Sequence, residues 1–166
     1  MLLAESLCSE FASIAESHPA SASALTEIVR LIANQLEVDV CSIYAVSGDD
    51  TLTLAATMGL NQSSVGAVQM SFREGLVGLV AEQLQPVFVP DASRHPRFLF
   101  FPEAGEEAFV SFLGIPILQD GRLRGVLVVQ TIERRDFRSD WATIALAAQS
   151  LAPFLIVPDV RAALHG

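Results

Sequence analysis

Residues 91–130 read DASRHPRFLFFPEAGEEAFVSFLGIPILQDGRLRGVLVVQ, and the second half of this stretch decides the fold. Ser111 to Leu118 and Arg124 to Thr131 are apolar, β-rich runs on either side of Gln119-Asp120-Gly121-Arg122. Asp-Gly between two such runs is a strong hairpin signal, because the favoured two-residue turn needs positive φ at both central positions. Two adjacent antiparallel strands are therefore expected. The first half is different in kind. Residues 91–110 mix Arg94, His95 and Arg97 with Asp91, Glu103, Glu106 and Glu107, and hold four phenylalanines without strand alternation. A segment of this composition covers something.

Upstream of it, Glu74 to Glu82 reads as a short helix with Leu76, Leu79 and Val80 facing inward, ended by Pro86. Val87 to Val89 is a brief strand, and Pro90 places it at a sheet edge or a strand end. Further back, the β-branched run Val38 to Val46 turns through Gly48-Asp49-Asp50 into Thr51 to Met58. Two helices precede these strands. Residues 2–17 put Leu3, Leu7, Phe11 and Ile14 on one face, and His18-Pro19 breaks the pattern because the residue before proline is pushed out of the helical region. The second helix carries Leu25, Ile28, Val29, Ile32 and Leu36. After the hairpin, Ser139 is a candidate cap for a helix whose apolar positions are Trp141, Ile144, Ala145, Ala148, Leu151 and Leu155. Pro153 kinks or ends it, and the last residues are expected to fray.

The order is helix, helix, three strands, helix, strand, irregular region, hairpin, helix, which is an α+β arrangement. A mostly antiparallel sheet has two faces to cover. The terminal helices are expected together on one, and the short helix with the 91–110 region on the other. The domain division expected is 1–20 for the amino-terminal helix and connection, 21–157 for the main domain and 158–166 for a tail.

Six blocks in sequence resemble a known family. They are Val38 to Tyr44, Leu52 to Leu60, Glu74 to Ala81, His95 to Phe98, Phe112 to Ile117 and Gly125 to Gln130. In this order and spacing they resemble the GAF domain, and more narrowly the amino-terminal GAF domain of the nitrogen-system enzyme I, a phosphoenolpyruvate-protein phosphotransferase. The resemblance implies a GAF-like fold with a ligand pocket under the second cover. It also implies a regulatory role in a nitrogen phosphotransferase system, with glutamine or 2-oxoglutarate as the metabolite and a phosphotransferase catalytic region in cis or in trans as the output. That catalytic chemistry, with its phosphorylated histidine, belongs to a separate downstream region, so the chain itself is expected to be no enzyme and to need no cofactor.

Composition narrows the partners. With 166 residues, the chain suits one domain burying roughly 70% of its unfolded surface. At 51% hydrophobic and 17% charged residues it is not of the disordered type. A formal charge of −9 with no local Lys/Arg cluster argues against nucleic acid and anionic membrane. No apolar run approaches the roughly 18 residues that span a bilayer, and Glu5 and Glu10 stand where a signal peptide would be basic and apolar, so a cytoplasmic location is expected.

Enzyme chemistry has little to work with. His18, His95 and His165 are dispersed and support neither a zinc site nor a Cys/His dyad. Gly75-Leu76-Val77-Gly78 lacks the lysine of a phosphate loop, and its glycines are read as close-packing positions. Cys8 and Cys41 have no metal or redox spacing and are read as buried thiols, which leaves the free methionine sulfoxide reductase type of GAF enzyme as an alternative without an evident cysteine pair.

For a binding module, the polar groups of the cover are the candidates. Arg97 and Arg94 offer planar forks to a carboxylate, and Asp91 or Glu103 can meet an amine. Phe98, Phe101, Phe109 and Phe112 can supply the apolar wall. The structural alternative is that Arg97 pairs with Glu103, Glu106 or Glu107 to pin the loop while the phenylalanines are core. A ligand-free dimerisation module also stays open. The apolar stripe of residues 2–17, added to those of the other terminal helices, predicts surplus apolar surface and a homodimer.

Overall fold

The computed structural model describes residues 2–17, 21–99 and 109–155. Helices α1 (Leu2–Ser17) and α2 (Ser21–Leu36) lead into strands β1 (Val40–Gly48), β2 (Thr51–Met58) and β3 (Gln69–Ser71). Helix α3 (Gly75–Gln83), strand β4 (Val87–Val89) and a 3-10 turn at Ala92–Arg94 follow. The hairpin β5 (Ser111–Gln119) and β6 (Arg122–Thr131) precedes α4 (Trp141–Ser150) and a closing 3-10 turn, Ala152–Leu155. Phe101 and Glu103 lie outside the described residues, as do Glu106, Glu107, the His18-Pro19 break, His165 and the 158–166 tail.

One six-stranded sheet has the order β3-β2-β1-β6-β5-β4, and all of its pairings are antiparallel. The Asp-Gly turn closes as expected. Asp120 and Gly121 both have positive φ, 53° and 75°, and Gln119 pairs with Arg122. The short strand β4 stands at an edge, where Pro90 removes no central ladder bond.

Burial explains why β5 and β6 read as continuous apolar runs: both of their faces are covered. Leu113, Ile115, Ile117, Leu127 and Val129 face α1, α2 and α4 in one core cluster, which also takes Leu7 and Phe11 of α1 and Ile28 and Ile32 of α2. Phe112, Val126 and Val128 alternate with them and face α3, in a second cluster with Leu52, Leu54, Met70, Leu76 and Val80. On β2 the alternation slips. A register shift between Ile43 and Tyr44 leaves Ala55 as an extra residue, so Leu52 and Leu54 share one face while Ala56 turns to the other.

The terminal helices lie together on one face of the sheet, as expected, while the cap of α4 and Trp141 depart from expectation. The stripe of α1 is used inside the domain, because Leu7 and Phe11 are buried in the shared core and Cys8 Sγ meets Ser150 Oγ of α4 at 3.1 Å. The expected surplus of apolar surface from α1 is thereby reduced. The residue at the N-cap of α4 is Asp140 and not Ser139, and its carboxylate pairs with Arg135 instead of capping the helix. Trp141 is half-buried, not buried, packing edge-on against Phe88 with ring centroids 6.4 Å apart. Helical spacing places it on the inner stripe, but as the first residue of α4 it lies at the rim of the core. Trp141→Ala is accordingly expected to lower the unfolding free energy by about 1–2 kcal/mol, short of the ~3–5 kcal/mol of a fully buried aromatic. Urea unfolding measures this, and a loss above 3 kcal/mol would show that the ring carries more of the core than its burial implies.

Arg135 fastens the layers together. Its backbone N–H donates to Ser111 Oγ of β5, and its guanidinium donates to the Glu37 carbonyl that follows α2 and to the Asp140 carboxylate at the start of α4. The same guanidinium lies 5.4 Å from the centre of the Phe137 ring.

Candidate functional site

On the face away from the terminal helices, α3 crosses the sheet closely because two glycines allow it. A Cβ on Gly114 would sit 2.7 Å from Val80, and one on Gly78 would sit 2.7 Å from the Ser71 carbonyl and 2.9 Å from that of Phe72. The close-packing reading thus holds for Gly78. Gly75 has a different job: its φ of +69° starts α3 in the left-handed region, where glycine is favoured. Between the first turn of α3 and strands β1, β5 and β6 lies a cavity of about 30 Å³. Its floor is Tyr44, Phe112, Val128 and Gln130, and Met70, Leu76 and Val77 wall one side. Ala92, Phe98 and Leu99 close the other side.

Among the described residues the lining is apolar except for the side chains of Tyr44 and Gln130, and Gly75, Leu76 and Val77 bring the first turn of α3 to it. N–H groups in the first turn of a helix have no acceptor within it and carry the positive end of the helix dipole. Among the described residues, no Lys, Arg, Asp or Glu lines this cavity. A space of this size holds water and is too small for an amino acid, so a metabolite needs its lining, which includes Phe98 and Leu99, to widen.

The segment carrying that wall is tied at several points. Ala92 N–H donates to the Val110 carbonyl (2.8 Å), and Ser111 Oγ donates to the Pro90 carbonyl (2.8 Å). His95 to Phe98 forms a closed turn in which Phe98 N–H donates to the His95 carbonyl and Arg97 N–H to His95 Nδ1, both at 3.0 Å. This turn aims Arg97 across at α3. Its Nη1 donates to Glu82 Oε2 at 2.9 Å and its Nη2 to the Phe72 carbonyl at 3.0 Å. The bond to Phe72 uses the carbonyl that Gly78 also approaches.

The residues expected at the site are thus divided. Phe98 and Phe112 line the cavity, Phe112 fully buried and Phe98 39% exposed. Phe109 is half-buried against the same cluster without lining it. Asp91, Arg94 and Arg97 also do not line it. Asp91 accepts from Ser93 Oγ and pairs with Arg94 at 3.3 Å, and the Arg94 side chain is otherwise 87% exposed. Arg97 has Glu82 as its acidic partner among the described residues, a residue 15 positions earlier in the chain. Tyr44 and Gln130 were not singled out in the sequence because they fall inside strand runs. A signal was present in Gln130, a lone amide ending the apolar run Gly125 to Val129.

The cysteines sit on the other side of the sheet. Cys41 is buried in the helical-face core, where loss of hydration pushes its thiol far above the usual range and keeps it protonated. Cys8, expected to be buried, is only half-buried on α1, and neither thiol lines the cavity. Among the described residues no group of three or more His, Cys, Asp or Glu is placed to hold a metal ion, and no helix is long and apolar enough to cross a membrane.

A family model described as GAF domain matches residues 22–155 of the chain. A protein of Salmonella typhimurium named phosphoenolpyruvate-dependent phosphotransferase system is 36% identical over 148 residues, covering 88% of this chain and 20% of that protein. The Nif-specific regulatory protein of Azospirillum lipoferum is 28% identical over 143 residues, covering 82% of this chain and 23% of that one. The chain therefore spans about a fifth of the curated relatives it matches. Among solved structures, the GAF domain from a phosphoenolpyruvate-protein phosphotransferase of Coxiella burnetii aligns with a TM-score of 0.85 at 32% identity, covering 99% of this chain and 98% of that one.

Proposed function

The chain belongs to the GAF domain family, and from that premise we propose that it is a non-catalytic sensor whose pocket between α3 and the sheet takes a small metabolite, with a phosphotransferase region as its output. The observation that carries the reading is the pocket's chemistry: among the described residues, an apolar lining with a phenol, one carboxamide and the start of a helix as its polar groups. That set suits glutamine better than 2-oxoglutarate. The first-turn N–H groups of α3 can receive one carboxylate, and the Gln130 amide can both donate to and accept from a second amide. A second carboxylate would find no cation in the lining among the described residues. The segment 98–110 would add none, since it contains glutamates at 103, 106 and 107 and no Lys, Arg or His.

Similarity to the Salmonella protein and to the Coxiella domain supports the output as phosphoryl transfer from phosphoenolpyruvate, and similarity to the Azospirillum regulator supports a nitrogen signal. A cytoplasmic location fits such partners. A thermal unfolding series tests the ligand: millimolar glutamine raises the midpoint by preferential binding to the folded state, and 2-oxoglutarate raises it less. No rise with either metabolite sinks the assignment. For the output, phosphoryl transfer by a full-length protein carrying this domain is expected to change with glutamine, and an unchanged rate contradicts the coupling.

The small cavity favours a second reading, an interaction module that binds no metabolite. Assembly bears on both. A homodimer through the helical layer is part of the proposal, and among the described residues Leu146 on α4, 43% exposed, is the large apolar side chain that layer presents to solvent. Light scattering of the intact chain and of Leu146→Asp checks it. A dimer that becomes a monomer in the variant supports this face, a monomer in both contradicts the dimer, and a dimer in both moves the interface elsewhere.

A further inference from the structure

We infer that Arg97 is a positioning residue that clamps the outer wall of the pocket shut, acting through Glu82 and the Phe72 carbonyl instead of contacting the metabolite. This rests on the ligand reading above for its functional meaning, but its geometry stands alone. The two residues that follow Arg97, Phe98 and Leu99, are the outer wall of the cavity. Leu99 lies against Gly75 at the start of α3, with its Cβ 3.4 Å from where a Cβ on Gly75 would be. Arg97 fixes the same segment to the far end of α3, because Glu82 is in the last turn of that helix. Its cation there offsets both the Glu82 carboxylate and the negative end of the helix dipole. The wall is thus held at both ends of one helix, by packing at the first turn and by the Glu82 branch of the Arg97 fork at the last, with the other branch on the Phe72 carbonyl ahead of the helix.

The fork matters more than the charge. Arg97 uses two different nitrogens on two acceptors, Glu82 Oε2 and Phe72 O, and its side chain is only 25% exposed. A lysine ammonium is a point donor and cannot span the pair in the same way. Since the cavity of about 30 Å³ admits no amino acid with the wall in place, the strength of this clamp sets how often the pocket opens. It also gives a reason for Arg97 that differs from a carboxylate contact, because its guanidinium is turned to Glu82 and the Phe72 carbonyl and does not line the cavity.

Hydrogen exchange of the intact chain, with Glu82→Gln and Arg97→Lys beside it, tests the clamp without any ligand. Glu82 is about half exposed, so Glu82→Gln removes the ion pair with little risk to the fold. The expected result is about twofold to fivefold faster exchange of the amides of residues 95–99 in Glu82→Gln, more in Arg97→Lys, and unchanged exchange in α1 and β1. Unchanged exchange at 95–99 in Glu82→Gln overturns the clamp. Glutamine affinity then separates the two roles. Under the clamp, both substitutions shift the dissociation constant in the same direction. If Arg97→Lys weakens binding while Glu82→Gln tightens it by freeing the guanidinium, Arg97 is the metabolite's partner and the clamp is wrong. If the unsubstituted chain binds no glutamine, the sensor reading fails, while the exchange result still decides the clamp.

Discussion

Phe137→Ala is expected to lower the unfolding free energy by about 3–5 kcal/mol, a large share of the ~5–15 kcal/mol that holds a typical domain together. The ring is 1% exposed in the helical-face core, packs edge-on against Phe88 at 6.1 Å and lies under the Arg135 guanidinium. Its backbone is in the left-handed region, φ 58°, where a bulky residue is uncommon. Alanine would keep that unfavourable φ while losing the burial that compensates for it. The loss also reaches Arg135, which ties the end of α2 to the start of α4. Urea unfolding of the variant measures the effect, and a loss below about 1 kcal/mol would mean that Phe137 is not a core residue.

Gly125→Ala is expected to cost about 3 kcal/mol and to weaken metabolite binding at the same time. Gly125 lies on β6 beside β1, and a Cβ there would stand 2.3 Å from the Tyr44 carbonyl and 2.9 Å from Leu155 Cδ1. A rotamer change cannot relieve the first contact because it is with backbone, so the two central strands must separate. Tyr44 is part of the cavity floor, which links this packing defect to the site. Unfolding and glutamine titration of the same variant check both effects. Wild-type stability would show that β1 and β6 yield more readily than the spacing implies.

The sequence carried most of the fold because its signals are local. Asp120-Gly121 forces its hairpin, Pro90 marks an edge, and the spacing of Leu7 and Phe11 or of Ile28 and Ile32 defines helix faces without reference to anything distant. The site depends on contacts between segments far apart in sequence and was less legible. Arg97 reads as a partner for a ligand carboxylate or for Glu103, Glu106 or Glu107, because Glu82 is distant on α3 and nothing in His95-Pro96-Arg97-Phe98 says which way the turn aims its guanidinium. Gln130 and Tyr44 come to line one cavity only once β6 pairs with β1, so that cavity is a product of register. Phe137 is a similar case, since Asp136-Phe137-Arg138 gives no local sign of a positive φ. The β1–β2 bulge that turns Leu54 and Ala56 to opposite faces is likewise invisible in a run as uniform as Thr51 to Met58.

Calorimetric titration of glutamine into the intact chain and into Gln130→Leu tests the central claim most directly. Leucine keeps much of the volume of the side chain and removes its amide, so the cavity wall stays while one polar partner is lost. A neutral hydrogen bond of about 0.5–1.5 kcal/mol predicts saturable glutamine binding to the intact chain, weaker by roughly twofold to tenfold in the variant. Absence of binding to the intact chain at millimolar glutamine, or equal affinity in both proteins, would contradict a metabolite seated between α3 and the sheet against Gln130.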